Sequence, residues 1–164
     1  MACTNDMLKY ANTDIVFQEI PDEVTLAINI SNCPCHCPGC HSHYLWDDVG
    51  LPLDTNAIDH FVAQYGNDIT CISFMGGDAD PMGVNLLAQY IHEEHAQFKV
   101  AWYSGRLRIP SAINKTDFDY IKVGPYIRHL GPLNKPTTNQ RLYRKQDDGT
   151  FQDITERFWR KQFS

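Results

Sequence analysis

The amino-acid sequence predicts an α/β fold in which mainly parallel strands alternate with helices. First, residues 24–31 alternate between apolar side chains and smaller or polar ones, the period of two that is typical of a strand. Second, apolar residues recur at helical spacing over 58–65 and again over 84–91. Third, apolar runs at 69–75 and 98–103 end in turns that contain glycine. Such alternation indicates parallel strands joined by right-handed helical crossovers.

The chain is too short to close a complete barrel of this kind. An eight-fold β/α barrel needs roughly 250 residues, and this chain has 164. We therefore expect a truncated, open β/α barrel, that is, a partial barrel with mainly parallel strands. We also expect one domain over 1–164, with its core at about 22–127 and a C-terminal extension at about 128–164.

Local signals set the expected ends of the two helices. Asp54 or Thr55 can cap the first helix, and Gly66 can end it. Asp80 followed by Pro81 is typical of the start of the second helix. Both helices should therefore begin at a capping side chain.

The remaining elements are shorter. A fourth strand is expected at 120–123, preceded only by a short helical segment near 111–114. Further on, Asp148 and Gly149 form a turn signal between two polar segments. The C-terminal part should thus form a hairpin followed by a short helix.

Composition limits the classes of partner. The formal net charge is -6 and there is no long run of Lys or Arg, which argues against binding to nucleic acid or to anionic lipid. No secretory signal or membrane-spanning apolar stretch is evident, so we expect a cytoplasmic protein. Four of the six cysteines lie between Cys33 and Cys40. In a reducing compartment, such clustered thiols indicate metal ligands or redox groups rather than disulfides.

The spacing of Cys33, Cys37 and Cys40 suits three corners of a 4Fe-4S cluster. The fourth iron then lacks a protein thiolate and can bind the amino and carboxylate groups of S-adenosylmethionine. The alternative is a zinc site, in which Cys35 completes a four-thiolate set or His41 and His43 contribute imidazoles. The role of Cys35 stays open between a spectator, a repair ligand and a true ligand.

This cysteine spacing, placed directly after a first strand, resembles the signature of the radical S-adenosylmethionine superfamily. The resemblance implies a partial barrel of the radical S-adenosylmethionine type and a cluster held by Cys33, Cys37 and Cys40. His41 occupies the position where that family usually has an aromatic residue near the adenine. Gly39 would permit close approach of the cofactor.

Two later turns also resemble parts of that family. Gly76 and Gly77 with Asp78 are similar to its Gly-Gly-acidic segment, in which glycines admit main-chain carbonyls and the carboxylate pairs with the cofactor ammonium. Asp80 competes with Asp78 for this role, although it can equally cap the second helix. Ser104 lies in a turn that resembles another cofactor-facing segment. We expect no catalytic side chain beyond the cluster and the cofactor.

The C-terminal third gives a narrower resemblance. Residues 119–126 and 138–143 are similar to segments of the anaerobic ribonucleoside-triphosphate reductase activating proteins, although Val123 stands where that family often has aspartate. The resemblance implies that a 5'-deoxyadenosyl radical generates a glycyl radical on the partner reductase. It also implies a low-potential electron donor such as a flavodoxin.

Other functions remain open at this stage. One is activation of another glycyl radical enzyme, and a second is radical chemistry on a small molecule. A third, from a different class, is a zinc-stabilised interaction module.

Overall fold

The computed structural model describes residues 8–37 and 42–159. One eight-stranded sheet has the order β3-β1-β2-β4-β5-β6-β7-β8. The strands are β1 (Lys9–Val16), β2 (Thr25–Ile30), β3 (Leu51–Pro52), β4 (Cys71–Met75), β5 (Lys99–Tyr103), β6 (Tyr120–Val123), β7 (Arg141–Lys145) and β8 (Phe151–Asp153). The α-helices in the described residues are α1 (Thr55–Tyr65) and α2 (Pro81–Glu94). Short 3-10 helices lie at His43–Trp46, Lys115–Asp117 and Thr155–Phe158.

The centre of the sheet is parallel, as predicted. Strands β2, β4, β5 and β6 pair in parallel and in chain order. Because the order never reverses, right-handed crossovers place α1 and α2 on the same face of the sheet. The buried residues bear this out, since one core cluster contains apolar side chains of both helices together with Ile72 and Trp102 of the strands. The opposite face packs separately around Cys71, Tyr120 and Leu142.

Both helices begin at the predicted caps. The Asp54 carboxylate accepts a hydrogen bond from the backbone N–H of Ala57 at 2.9 Å, and α1 ends before Gly66. The Asp80 carboxylate accepts from the N–H of Gly83 at 3.1 Å. Each carboxylate satisfies a donor that the first helical turn leaves free.

The margins of the sheet correct the prediction of mainly parallel strands. Strand β1 pairs antiparallel with both β2 and β3, and β6, β7 and β8 form antiparallel pairs on the other side. The prediction therefore holds for the four central strands. The sequence analysis did not identify β1, whose pairing with β2 is interrupted by a register shift between Tyr10 and Asn12.

The C-terminal hairpin is confirmed, with Lys145 opposite Phe151 across the predicted turn. The short helix expected near 111–114 lies instead at Lys115–Asp117, because the Asn114 side chain accepts the N–H of Thr116 and starts the turn there. The predicted C-terminal helix is a 3-10 turn. In the described part of the chain, no helix has the length and apolarity needed to cross a bilayer.

Candidate functional site

The cysteine loop starts at the carboxyl end of β2 and is anchored by main-chain hydrogen bonds. The N–H of Asn32 donates to the carbonyl of Asp47 at 3.0 Å, and the N–H of Cys33 donates to that of Leu45 at 2.8 Å. Asn32 and His36 have positive φ angles of 59° and 45°. This left-handed backbone is uncommon outside glycine and turns the chain sharply. The loop thus folds back over the edge of the sheet instead of continuing the strand.

A small aromatic stack supports the loop. The rings of His36 and Trp46 are parallel, with centroids 4.6 Å apart and an interplanar angle of 4°, and His43 lies 4.7 Å from the same indole. The Nε1–H of Trp46 is buried and has no hydrogen-bond partner among the described residues. Since a buried donor without an acceptor is costly, this indole is suited to a bound acceptor.

A cavity of about 200 Å³ lies beside Cys33. It is lined by residues from the cysteine loop and the ends of β2, β4 and β5: Asn29, Ile30, Cys33, Ser42, Leu45, Trp46, Met75, Gly76 and Tyr103. Ligand sites of parallel sheets form at this carboxyl edge. A larger groove of about 340 Å³ lies against β6, β7 and β8 and contains none of the predicted cofactor residues. We therefore assign the site to the smaller cavity.

Asp78 connects three loops at this edge. Asp78 is 4% exposed. Its carboxylate accepts hydrogen bonds from the Ser104 hydroxyl at 2.5 Å and from the Gly105 N–H at 2.8 Å. The Cys35 thiol lies 3.7 Å from the same carboxylate. The predicted residues Asp78 and Ser104 are thus in direct contact, beside the cysteine loop.

The surroundings of Cys35 disfavour its thiolate form. Burial raises the pKa of its thiol to about 12, and the negative charge of Asp78 acts in the same direction. Because metal ligation requires the thiolate, this environment favours the spectator role. A Cβ on Gly105 would lie 2.9 Å from the Cys35 sulfur, so glycine is needed where the two loops meet. Gly105 follows Ser104 in the turn that resembles a cofactor-facing segment, but its contact with Cys35 was not predicted from the sequence.

The glycine turn after β4 has a structural role of its own. Gly76 and Gly77 have φ angles of 105° and 90°, and the Gly76 carbonyl accepts from the indole N–H of Trp102 at 2.7 Å. A Cβ on Gly77 would lie 2.5 Å from a methyl of Val84. The turn therefore requires glycine for its backbone and its packing. Contact of these glycines with a cofactor stays a prediction.

Part of the predicted ligand set lies outside the described residues, namely Gly39, Cys40 and His41. Cys33 and Cys37 are free and partly exposed. Within the described part of the chain, no three His, Cys, Asp or Glu side chains converge as a metal site. Cys33, Cys35 and Cys37 therefore do not form a three-thiolate site among themselves.

Lys122 is a buried cation at the same edge that the sequence analysis missed. It is 7% exposed, and its ammonium donates to the carbonyl of Gly124 at 3.0 Å. The ammonium also lies 5.5 Å from the ring centroid of Tyr103. Burial lowers its pKa to about 8. The sequence feature that could have identified Lys122 is a charged residue inside an otherwise apolar strand.

The two C-terminal segments that carry the narrower resemblance contact each other. The Asn139 side chain donates to the carbonyl of Pro125 at 3.1 Å, and that of Gln140 donates to the carbonyl of Gly124 at 3.3 Å. The Gly124 N–H donates to the carbonyl of Arg106 at 2.7 Å. Asn139 and Gln140 thus hold the segment before β7 to the loop after β6, and the Gly124 N–H holds that loop to the loop after β5.

A family model described as a 4Fe-4S single cluster domain matches residues 24–115, more than half of the chain. The protein belongs to this family and is an iron-sulfur protein. The matched range contains the cysteine loop, the glycine turn and Ser104. Comparison with curated proteins and with solved structures gave no match.

The described residues fit a 4Fe-4S cluster. Cys33 and Cys37 supply thiols, the indole of Trp46 supplies a free donor, and Lys122 supplies a buried positive charge. Thiolates are the protein ligands of such clusters, and hydrogen bonds to sulfur and nearby charge tune them. The match therefore favours the cluster over the zinc alternative.

Proposed function

We propose that the protein is a radical S-adenosylmethionine enzyme whose Cys33, Cys37 and Cys40 hold the 4Fe-4S cluster. When bound, the cluster supplies one electron that breaks a carbon–sulfur bond of S-adenosylmethionine, giving methionine and a 5'-deoxyadenosyl radical. One observation carries the proposal: Asp78 holds the cysteine loop, the glycine turn and the Ser104 turn together at one edge of the parallel sheet. An iron-sulfur module that only carried electrons would not need the two further turns.

The arrangement of strands supports a partial barrel. In a β/α barrel the strands follow chain order and the helices cover one face, whereas a doubly wound sheet has helices on both. Strands β2, β4, β5 and β6 follow the first arrangement. We take them as the radical S-adenosylmethionine type of truncated, open β/α barrel, with the antiparallel strands extending its margins.

The cofactor would lie between the cysteine loop and these turns. Both oxygens of Asp78 accept internal hydrogen bonds, yet a carboxylate has further lone pairs for an ammonium. Asp80 has one oxygen bonded to the first turn of α2. Asp78 is the more buried of the two carboxylates at the edge, and we keep it as the proposed ammonium ligand. Gly39, His41, Gly76, Gly77 and Ser104 complete the proposed contacts.

The proposed substrate is the anaerobic ribonucleoside-triphosphate reductase. The radical would take a hydrogen atom from a glycine of that partner, so that a carbon–hydrogen bond breaks on the glycine and one forms on 5'-deoxyadenosine. The support is the resemblance of residues 119–126 and 138–143, which the contacts of Asn139 and Gln140 bring together. A low-potential one-electron donor such as a flavodoxin would reduce the cluster.

Electron paramagnetic resonance tests this substrate. The reconstituted, reduced protein is mixed anaerobically with S-adenosylmethionine and the reductase, and the glycyl radical is recorded. We expect a glycyl signal that Cys33→Ala abolishes. If 5'-deoxyadenosine forms but no glycyl signal appears, the reductase is not the substrate, and another glycyl radical enzyme or a small molecule takes its place.

A further inference from the structure

We propose that the ammonium of Lys122 is a fixed positive charge beside the iron-sulfur cluster and raises the reduction potential of the cluster. The inference concerns the cluster alone. It holds or fails independently of whether S-adenosylmethionine is cleaved.

Strand register places Lys122 at the cavity edge. Asn29, Met75, Tyr103 and Lys122 are register partners across β2, β4, β5 and β6. Register partners in a parallel sheet project to the same face. The first three line the cavity together with Cys33, so Lys122 is the fourth member of that row.

A second path of contacts leads from Lys122 to the cysteine loop. The N–H of Ser104 donates to the carbonyl of Lys122 at 2.8 Å. The next residue, Gly105, is close enough to the Cys35 sulfur that no Cβ fits between them. The turn formed by Ser104 and Gly105 therefore lies between the backbone of Lys122 and the cysteine loop and contacts both.

The buried ammonium of Lys122 requires a nearby negative charge. In the described part of the chain its hydrogen-bond acceptor is the neutral carbonyl of Gly124, and the face of Tyr103 adds a weaker attraction. A buried cation is costly unless a negative charge compensates it. The Gly124 carbonyl and the Tyr103 ring are uncharged and do not provide that compensation.

The nearby negative charges belong to the site. Besides burial, the groups that act on the pKa of Lys122 are Asp78, Cys37, Cys35 and Cys33, all of which raise it. Asp78 is the first of these, and its two hydrogen-bond donors, the Ser104 hydroxyl and the Gly105 N–H, are uncharged. When a cluster is bound, the thiolates of Cys33 and Cys37, the proposed ligands, add to the negative charge that Lys122 faces.

A fixed positive charge beside a cluster stabilises its reduced form. Reduction adds one electron and hence one negative charge, with no bond made or broken in the protein. The attraction to Lys122 is stronger in the low dielectric of a buried site than in water. Lys122 therefore keeps the cluster reducible by a low-potential one-electron donor.

The test is a redox titration of the cluster with dithionite, without S-adenosylmethionine, followed by electron paramagnetic resonance. Lys122→Met removes the charge at similar length, and the carbonyl of Gly124 keeps the Gln140 side chain as a donor. We expect the equilibrium constant for reduction to fall at least tenfold, which is about 59 mV for one electron. Lys122→Arg should stay within threefold of the wild type.

Lys115→Met is the matched control, because it removes the same charge from an exposed position at the groove against β6, β7 and β8. It should leave the potential unchanged. Lys122→Gln is titrated in parallel, so that the result does not depend on one variant. Iron and sulfide content establish that each variant carries a full cluster.

An unchanged potential in fully loaded Lys122→Met and Lys122→Gln would overturn the inference. So would a variant whose only defect is weaker binding of S-adenosylmethionine, since Lys122 would then act on the cofactor carboxylate. Absence of S-adenosylmethionine cleavage by the wild type would count against the proposed function and leave the redox result standing.

Discussion

The described cysteines of the loop differ in their surroundings. Cys35 is hydrogen-bonded to a buried carboxylate that disfavours its ionised form. Cys33 and Cys37 are partly exposed, and Cys33 lines the cavity. The surroundings of Cys35 therefore support the proposed ligand set, in which Cys33, Cys37 and Cys40 bind the cluster and Cys35 is a spectator.

Alanine substitution of single cysteines tests this assignment. Cys33→Ala or Cys37→Ala should lose most of the iron and sulfide and the broad visible absorbance after anaerobic reconstitution. Cys35→Ala should retain them. Cys71→Ala is the control, because that thiol is buried within β4. Loss of the cluster in Cys35→Ala, with retention in Cys37→Ala, would mean that the wrong three ligands were chosen.

The pKa of Lys122 predicts a pH dependence of the apoprotein. Burial lowers this pKa from 10.5 to about 8. Between these values the unfolded chain binds the proton and the folded chain does not, so the free energy of unfolding rises with pH. This contribution is present above pH 10.5 and is lost as the pH falls through 8.

Urea unfolding at pH 7 and pH 10 measures the effect. The wild type should gain about 2 kcal/mol relative to Lys122→Met between the two pH values, since one pKa unit corresponds to about 1.4 kcal/mol. Taking the difference between the two proteins cancels the other titrating groups. A difference that does not change with pH would show that Lys122 titrates normally.

Among the elements, the two helices offer matched caps. Asp54 and Asp80 each accept a hydrogen bond from the first turn of a helix, at similar distances. Only Asp80 stands beside the proposed site. Comparing substitutions at Asp54 and Asp80 therefore distinguishes the loss of a helix cap from the loss of a cofactor contact.

Asp54→Ala and Asp80→Ala should each lower the free energy of unfolding by about 1 kcal/mol, as is typical for loss of an N-cap. If Asp80 is only a cap, both variants should bind S-adenosylmethionine like the wild type, whereas Asp78→Asn should bind it weakly. Calorimetry with the anaerobic, cluster-loaded proteins gives the affinities. Weaker binding in Asp80→Ala alone would transfer the ammonium role to Asp80.

The glycine turn between β4 and α2 makes a second prediction at this scale. Gly77→Ala should destabilise the protein by about 3 kcal/mol, because it combines a positive φ with a Cβ placed 2.5 Å from Val84. Gly76→Ala should cost about 1–2 kcal/mol, since its nearest contact is the Ile30 carbonyl at 3.3 Å. Urea unfolding of both variants should give this order, and the reverse order would contradict the packing described for the turn.

For the molecule as a whole, local signals in the sequence predicted the central strands, both helices and their caps. The signals failed for β1, whose residues include polar Asn12 and Asp14 and whose place depends on pairing with β2. They also failed for the antiparallel pairing of β1 with β2 and β3 and of β7 with β6, whereas the turn signal did predict the β7–β8 hairpin.

The candidate site, like the fold, was predicted only in part from the sequence. Asp78 and Ser104 were predicted from their motifs and lie in contact. Trp46 and Lys122 were not, and for Gly105 only its place in the Ser104 turn was predicted, because the contacts of these residues depend on which loops and strands become neighbours. Such contacts are long-range in the chain, and the spacing of residues within a motif carries no information about them.

Cleavage of S-adenosylmethionine tests the central claim most directly. The anaerobically reconstituted protein is reduced with dithionite and given S-adenosylmethionine, and 5'-deoxyadenosine and methionine are quantified by liquid chromatography with mass detection. We predict that both products form in equal amounts with the wild type and that Cys33→Ala forms neither. A wild-type protein whose reduced cluster is visible by electron paramagnetic resonance, but which forms no 5'-deoxyadenosine above the Cys33→Ala background, would contradict the account.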